Sequence, residues 1–564
     1  MNLVTITSIN QLKDFRNDWS IILESTNNTN PFIEFEWLYE WWNYLGEGKN
    51  IEIIAVQKND RFVAFFPFMY TKKGFTYEYN FMALGQANYM DVIAYSFVLD
   101  SAIELVFDYL HHTRKRVLFN LHGLLESSNT PKSLEAYLKK RKIEKRSYRI
   151  VTPFVDLKTI HLEDYMKERK TLHGLDRRQK RLRSLGTVRL ATSHPEEMDI
   201  IFYLHNKRWE KKNDTSGFTS QEKRQFFRQL AENESGAMRV QIESLYLEDR
   251  LIAFTYGFKC RGRYMGYVLG HDDAFDYFSP GRILVKEKIK KSVESSSSID
   301  ILDMSIGYEP YKFEWNTDLD YTIRMVFSSN SIQAKSRRNI IWWKEWLLSG
   351  IKKRRSAVLF RRNTVGKIKY LVRNLRSTKT VGKLKPDVLR TINRLRKFFY
   401  ERKKHLVLKM DLHTNGLIVT NETFTPITIE KVFSDIDFKD EAMKEIGKRL
   451  YRGFIGYSSA EKLSFDTICW INQKVIRIDG ISYLEQLRNG TIYIEGWDCD
   501  NILDICASVK QDVKAKSVII NLEKSNEKTL RSLESKGFII DKEIYNRTYF
   551  GFKKSAIING GKRI

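Results

Sequence analysis

VQIESLYL (Val240–Leu247), LIAFTYGFKC (Leu251–Cys260) and RYMGYVLG (Arg263–Gly270) follow one another almost without a break. Each run is apolar and partly alternating, as a strand with a buried face requires. Glu248-Asp249 separates the first pair and Arg261-Gly262 the second, short polar turns of the kind that close hairpins. A loop then leads to a helix opening at Gly281 and to the strand IDILDMS (Ile299–Ser305). Strands, a helix and a returning strand make one α/β unit.

The same order occurs earlier in the chain. IEIIAVQ (Ile51–Gln57) turns at Lys58-Asn59-Asp60 into RFVAFFPFMY (Arg61–Tyr70). A strand at Tyr77–Leu84, a Gly85-centred loop, a short run at Asp91–Ala94, a helix at Ser101–His112 and a strand at Arg116–Leu121 follow. A weaker copy lies near the C-terminus, with DTICWINQKVIRI (Asp466–Ile478), TIYIEG (Thr491–Gly496), a helix near Ile502–Asp512, SVIINL (Ser517–Leu522) and a helix at Asn526–Lys536. Recurrence of one unit decides the fold class, because an overlooked repeat misassigns the whole chain. The expected architecture is α/β (α+β), with mostly antiparallel mixed sheets flanked by helices. Four divisions are expected: 1–150, 151–330, a basic helical linker at 331–405, and 406–564. A chain of 564 residues exceeds what one core supports, which agrees with several divisions.

The net charge of +26 suggests a nucleic-acid partner until it is mapped along the chain. Residues 331–405 carry 24 Lys and Arg against Glu345, Asp387 and Glu401, so 24 − 3 = +21 falls in that segment. The remainder is near neutral, as expected of an enzyme, and nucleic acid is an unlikely partner without a readout pattern. Cys260, Cys469, Cys499 and Cys506 form no C-x-x-C pair, which argues against a disulfide framework and a zinc site. No metal is expected. The first residues, MNLVTITSINQLKDF, lack the basic and apolar regions of a secretory leader, and no uncharged apolar run reaches the ~18 residues of a spanning helix. A cytoplasmic protein is expected.

Several ordered stretches carry a resemblance. They are PFIEFEWLYEWW (Pro31–Trp42), FFPFMY (Phe65–Tyr70), LGQANYMDVI (Leu84–Ile93), LDRRQKRLRSLG (Leu175–Gly186), YLHNKRWE (Tyr203–Glu210), LIAFTYGF (Leu251–Phe258), GHDDAFDYFSPGRIL (Gly270–Leu284) and DMSIGYEPYKFEW (Asp303–Trp315). Over about 30–325 the chain resembles the BioF-like, cellulose-biosynthesis-type acetyltransferases of the GNAT superfamily. It also looks like the Fem-type peptidoglycan aminoacyl transferases, whose two GNAT-like halves hold the active site between them. The resemblance implies tandem GNAT-like domains and acetyl-CoA, or another acyl-CoA, as co-substrate. The long coiled-coil insertion of some Fem proteins is missing, which disfavours a tRNA donor.

Direct acyl transfer needs an oriented nucleophile, a proton acceptor, donors for the developing oxyanion and a cradle for the donor's pyrophosphate. In the stretch from Gly270 to Gly281, Ser279 can cap a helix, Pro280 suits its first turn, Gly281 lets a phosphate approach, and Arg282 adds positive charge. Asp272 and Asp273 are candidates to orient substrate or accept a proton, and Tyr311 joins them as a catalytic candidate. Paired loop acids also cap or merely solvate, and His271 beside them reads as a surface group. Lys312 is expected to contact an anion, in keeping with a lysine that Fem-like proteins place against acceptor phosphates. His205, Arg208 and Trp209 share a helix face, and the resemblance sets them at the acceptor pocket. Asp91 is expected to face the same cleft, although Asn88-Tyr89-Met90-Asp91 departs from the family's D-Y-x-D-like string. Trp37, Trp41 and Trp42, at helical spacing, are expected in the core.

The C-terminal copy departs further. Where a competent GNAT unit carries a basic, glycine-rich loop, this chain has Glu495-Gly496-Trp497-Asp498-Cys499-Asp500, whose acids would repel a pyrophosphate. An inactive structural or acceptor-binding copy is expected. In the basic segment, Trp342, Trp343 and Trp346 stand among Arg337, Arg338, Lys344, Lys352, Lys353, Arg354 and Arg355. That mixture suits either a linker helix packed on a neighbour or a peripheral helix on an anionic membrane. The sequence reading is an N-acyltransferase acting on an amino sugar or peptide amine of a cell-surface or exopolysaccharide precursor, small or lipid-linked, at the inner face of the membrane. Fem-like aminoacyl transfer and a non-catalytic membrane-associated scaffold remain as alternatives.

Overall fold

A computed structural model describes residues 1–210, 218–233, 235–294, 298–353, 400–413, 422–437, 442–478, 483–523, 527–549, 552–559 and 562–563. The chain divides into two units. One comprises 1–179, 189–272 and 279–372; the other comprises 180–188, 273–278 and 373–564. No described helix is long and apolar enough to cross a membrane.

The first unit is built on β1 (Asn2–Ile6), β2 (Asn50–Lys58), β3 (Arg61–Lys73), β4 (Thr76–Phe81), β5 (Ile93–Ala94), β6 (Val117–Leu125), β7 (Lys145–Asp156), β8 (Val188–Thr192), β9 (Met238–Leu247), β10 (Arg250–Cys260), β11 (Arg263–His271), β12 (Ile301–Asp303) and β13 (Asp318–Ser328). The expected hairpins form for the expected reason. Asn59 and Asp60 both take positive φ (51° and 58°) between Lys58 and Arg61, and Arg261 and Gly262 do so (38° and 82°) between Cys260 and Arg263. Two consecutive left-handed residues match the twist of the flanking strands.

All these strands join one sheet, in the order β1-β2-β3-β4-β6-β13-β7-β12-β11-β10-β9-β8, with β5 beside β3. Two of its pairs are parallel: β4 with β6, bridged by the Leu99–Thr113 helix, and β11 with β12, bridged by the Pro280–Glu294 helix. The division expected at residue 150 therefore needs correction. It falls inside β7, and β13, the last strand of the second half, pairs with β6 of the first.

One core follows from one sheet. Phe32 meets Tyr89 within the first half and Phe258 and Tyr267 across the halves, and Trp37 meets Phe226 edge-on at 5.4 Å. Trp37 and Trp41 are fully buried and Trp42 packs against the core, as expected. The basic segment expected to begin a linker at 331 opens instead with a docked helix, Ile332–Lys353. Its Ile341 packs on Leu118 and Val326, Arg338 bonds Glu144, and Glu345 accepts from Arg324 at 2.7 Å. Residues 354–399, and with them Arg354 and Arg355, lie outside the described residues; the side chains of Trp346, Lys352 and Lys353 do too.

The second unit carries β14 (Tyr400–Asp411), β15 (Thr425–Pro426), β16 (Ile455–Ser458), β17 (Cys469–Asn472), β18 (Val475–Ile478), β19 (Tyr483–Gln486), β20 (Thr491–Glu495), β21 (Ser517–Glu523), β22 (Ile539–Tyr549), β23 (Phe552–Asn559) and β24 (Lys562–Arg563). Nine of them form a sheet in the order β15-β16-β17-β20-β21-β14-β22-β23-β24, and β18 pairs with β19 apart from it. Its parallel pair, β20 with β21, is bridged by the Ile502–Val513 helix. The unit read from sequence thus recurs three times, each copy marked by a parallel pair and a crossover helix.

Candidate functional site

β11 is an interior strand, yet it is only partly covered. It pairs with β10 along its length, but with β12 only at Arg263, Tyr264 and Met265. Gly266, Tyr267, Val268 and Leu269, just beyond the last pair, are all half-buried. Interior strands are normally covered on both flanks, so four such residues in a row mark a groove between the parting strands. A Cβ built on Gly266 meets nothing closer than the Asp303 carbonyl at 3.8 Å, an ordinary van der Waals contact, so a Cβ is accommodated here without a clash.

The first half reaches this place through Leu84–Asp91. Tyr267 donates its hydroxyl to the Gln86 carbonyl at 2.8 Å. Asn88 donates to Ser305 Oγ at 2.7 Å, and the Tyr89 hydroxyl donates to Asp303 Oδ1 at 2.8 Å. The fully buried Asp303 also accepts the Ser305 amide at 2.7 Å and faces the Arg263 guanidinium at 3.6 Å. This network holds Ser305 at φ 65° and so fixes the chain where β12 ends. Burial and the Asp303 carboxylate push the Tyr89 phenol far up, so it stays a neutral donor.

Arg208, on the Met198–Glu210 helix, donates to His271 Nδ1 at 2.5 Å. A guanidinium only donates, so Nδ1 is the accepting nitrogen and the ring's proton is on Nε2. Tyr311, on the Pro310–Glu314 turn, is pushed up to about 12, by burial first and then by Glu309, against an opposing pull from Arg208. Arg208, His271 and Tyr311 are thus drawn together from three separate elements.

Other expected residues have different duties. Lys312 is 5% exposed, and its ammonium meets the Ser305 carbonyl at 3.3 Å, the Ile306 carbonyl at 2.5 Å and Glu309 at 3.0 Å. Three donors with three acceptors leave nothing for an outside anion, so Lys312 braces the turn instead. Asp272, 2% exposed, is paired with Arg250 at 2.7 Å, where it ties β10 to the end of β11 and is shielded from any substrate amine. Asp273 opens the 3₁₀ turn Asp273–Phe278, which belongs to the second unit; there Ala274, Phe275 and Phe278 are buried and Tyr277 stacks on Tyr451. Ser279 does not cap with its side chain as expected. Its φ is 57°, its hydroxyl is bound by Arg178, and its carbonyl accepts the Arg282 and Ile283 amides at 3.0 and 3.1 Å.

Gly281 also needs correction. It is buried, and an added Cβ would lie 2.7 Å from Leu269 Cδ2, so the missing side chain lets the Pro280–Glu294 helix pack tightly on β11. Arg282 is ion-paired with Glu314. His205 is buried edge-on against Phe218, and burial followed by Arg208 holds it down at about 4. It is a buried, neutral histidine packed into the core. Trp209 ends the same helix, and its side chain lies outside the described residues. Asp91 turns away from the groove. It is pushed up to about 6, chiefly by burial, beside Thr130, Ser128 and the Val92 amide at 2.8 Å.

An acyl-CoA donor requires room for its thioester arm and donors for its phosphates. The groove at 266–269 supplies the first. At the start of the Pro280–Glu294 helix, Pro280 has no N–H and Ser279 takes those of Arg282 and Ile283, leaving the Gly281 amide. Arg178 and Arg282 both act on Glu314, so two guanidinium groups against one carboxylate give 2 − 1 = +1 beside a positive helix end. That set fits an anionic group.

Asn88, Tyr89, Asp303, Ser305 and Tyr267 were missed as functional residues, although the stretches that contain them were singled out. Their partners are far off in sequence, so only the sheet order brings them together.

Residues 169–313 match the acetyltransferase (GNAT) domain family. No curated protein matches the chain. Among solved structures, a conserved protein of unknown function from Bacteroides thetaiotaomicron VPI-5482 is 14% identical, with a TM-score of 0.38, covering 58% of this chain and all of that one. FemX is 9% identical with a TM-score of 0.40, covering 57% of this chain and 97% of that one. A tandem GNAT protein from the clavulanic acid biosynthesis pathway is 8% identical with a TM-score of 0.37, covering 58% of this chain and 99% of that one. Likenesses so distant say nothing of what this chain acts on. The fold is a mixed α/β architecture of a repeated unit, and the stretch that matches the acetyltransferase domain contains the groove, the crossover helix start and the Tyr311 turn.

Proposed function

We propose that the chain is an N-acyltransferase that moves an acyl group from acyl-CoA to an amine of a cell-surface or exopolysaccharide precursor. The observation that carries this reading is the parting of β11 from β12 over Gly266–Leu269, inside the stretch that matches the acetyltransferase domain. Acyl-CoA would supply a thioester whose carbonyl carbon the amine attacks and whose C–S bond breaks. The Gly281 amide, Arg178 and Arg282 would hold its phosphates. Tyr311, held protonated at neutral pH, gives its Oη proton to the departing sulfur and recovers one from water. His271 Nε2–H is oriented as a donor by Arg208 and can steady developing negative charge. Since Asp272 is buried in its pair with Arg250, the amine's surplus proton passes to water.

Calorimetric titration of the full chain tests this reading, with acetyl-CoA and separately with aminoacyl-tRNA. Gly266→Leu fills the groove without a clash at Cβ. It should retain the wild-type unfolding temperature and lose acetyl-CoA binding by about 100-fold or more, since a leucine side chain would occupy the groove that the thioester arm needs. Equal affinity in a folded Gly266→Leu protein would overturn the placement. Binding of aminoacyl-tRNA alone would replace the reading with Fem-type aminoacyl transfer.

A further inference from the structure

The Ile332–Lys353 helix has two contrasting faces. At about 100° per residue, Ala334, Ile341, Glu345 and Arg338 fall on one side. These are the positions that pack on the sheet or bond it. Ile332, Ile340 and Trp343 fall within about 80° of one another on the opposite side, with only the small, exposed Ser336 between them among the described side chains. They are 80%, 56% and 55% exposed. Lys335 and Lys344, both exposed, stand on either flank of that strip. Trp343 meets Trp342 edge-on at 5.6 Å, yet it and the two isoleucines stay more than half exposed, and three large apolar side chains in one strip are more than scattered surface residues explain.

We propose that this outer strip docks on an anionic lipid surface. Two observations select a membrane over other occupants. An apolar strip with a tryptophan, flanked by lysines, is the arrangement that lies in a headgroup layer, rings inward and ammonium groups toward phosphates. The strip also begins the segment of net charge +21, so the surrounding chain is drawn to the same negative surface. The sheet fixes the helix so that the strip faces outward without refolding. Docking would bring the enzyme to lipid-linked acceptors, but it is independent of the acyl-transfer reading and is measured without substrate.

The test is co-sedimentation of the full chain with phosphatidylglycerol–phosphatidylcholine vesicles and with pure phosphatidylcholine vesicles. The wild type should partition at least about tenfold more strongly to the anionic ones. Ile340→Ser with Trp343→Ser should cut the binding that survives about 1 M salt by about tenfold or more, because apolar insertion is not screened. Lys335→Gln with Lys344→Gln should cut binding about tenfold at low ionic strength and little at high salt. The lysine variant should unfold at the wild-type temperature, and so should Ile332→Ser with Ile340→Ser, which spares the Trp343–Trp342 ring contact and should likewise lose salt-resistant binding. Unchanged vesicle binding in the Ile340/Trp343 variant would overturn the proposal. So would duplex DNA binding without lipid binding, or a dimer that this variant dissolves while vesicles capture nothing.

Discussion

The crossing of the second half and that of the C-terminal copy share one topology but differ in whether the strands stay together. β11 has nine residues and pairs with β12 over three; β20 has five and pairs with β21 over four. Within the pairing both strands are buried, at Tyr264 and Met265 and at Ile492, Tyr493 and Ile494. Past it β11 runs on through half-buried Gly266–Leu269, whereas β20 ends one residue later at half-buried Glu495, with the Tyr493 hydroxyl bonded to Asn521 at 2.7 Å. The helix starts differ in the same sense. Pro280-Gly281 is flanked by Arg178 and Arg282. At the Ile502–Val513 helix, Asp498 Oδ1 already accepts the Asp500 and Asn501 amides at 2.8 and 3.0 Å. On the proposed function, a crossing of this kind serves as a site where the strands part and amides are left for a ligand. The C-terminal crossing, bridged by a tyrosine and with a carboxylate at its helix start, is the contrast that tests this.

The largest expected effect contrasts tyrosines of the two crossings. Tyr311→Phe should lower kcat/KM for acyl transfer by about 10²–10⁴ with acetyl-CoA affinity unchanged, as removal of a general acid does. Tyr493→Phe should leave activity alone and cost about 1 kcal/mol of stability for one hydrogen bond. Equal activity loss in both would erase the distinction.

Next comes the network that fixes the mouth of the open crossing. Asp303→Ala leaves Arg263, 8% exposed, without its counter-charge. Breaking a buried pair in this way costs about 3–5 kcal/mol, read as a fall in denaturation midpoint. Asp303→Asn, which can still accept from Tyr89 and Ser305, should cost less.

How much of this was legible in the sequence follows from the range of the interactions. The hairpins around Asn59-Asp60 and Arg261-Gly262 are local, and the turn residues announce them. The pairing of β13 with β6 and β7 is not local, and KRSYRIVTPFVD (Lys145–Asp156) reads as half-polar chain. The single sheet was therefore invisible, and a cut at residue 150 looked reasonable. The sequence singles out the stretches that meet at the candidate site, but not the partners of their side chains. The Lys312 partners are local, since Glu309 stands three residues before it, and that pairing could have been read; nothing near Asp272 announces Arg250, 22 residues away. Gly281 was read for a ligand when its missing Cβ first serves helix packing. Gly281→Glu would therefore confound binding with folding, which is why Gly266 is the better probe.

A smaller effect contrasts buried ionisable groups in the two halves. Burial raises Asp91 to about 6, so its contribution is greatest at low pH and is lost as pH rises from about 4 through 6. Burial lowers His205 to about 4, so its contribution is greatest above about 6.5 and is lost as pH falls toward 4. The two slopes oppose each other. Asp91→Asn should stabilise the protein at pH 7.5 by an amount on the order of 1–3 kcal/mol and leave it unchanged near pH 4. It should also unmask the His205 slope, steepening the stability loss between pH 6.5 and 4. A variant whose thermal midpoint follows the wild type at every pH would show that Asp91 is not buried as an acid.

The smallest effect bears most directly on why the C-terminal crossing is closed. Asp498 accepts two amides ahead of the Ile502–Val513 helix, and its Oδ2 takes the Asn501 side-chain amide at 2.8 Å. It is exposed, so its loss should cost only what a helix cap is worth, about 1 kcal/mol, seen as a thermal midpoint a few degrees lower. Asp498→Ala also removes the negative charge that stands where a phosphate would approach. If that charge alone kept the crossing closed, the variant would gain acetyl-CoA binding. The paired β20 and β21 and the buried Tyr493 predict that it will not, because the amides would be uncovered while the groove for the acyl arm would still be missing. Calorimetry on Asp498→Ala carrying Gly266→Leu, which silences the open crossing, separates the two causes. No heat on adding acetyl-CoA means that strand separation makes the site. Recovered binding would mean that charge at the helix start does, and that the third copy is one substitution away from function.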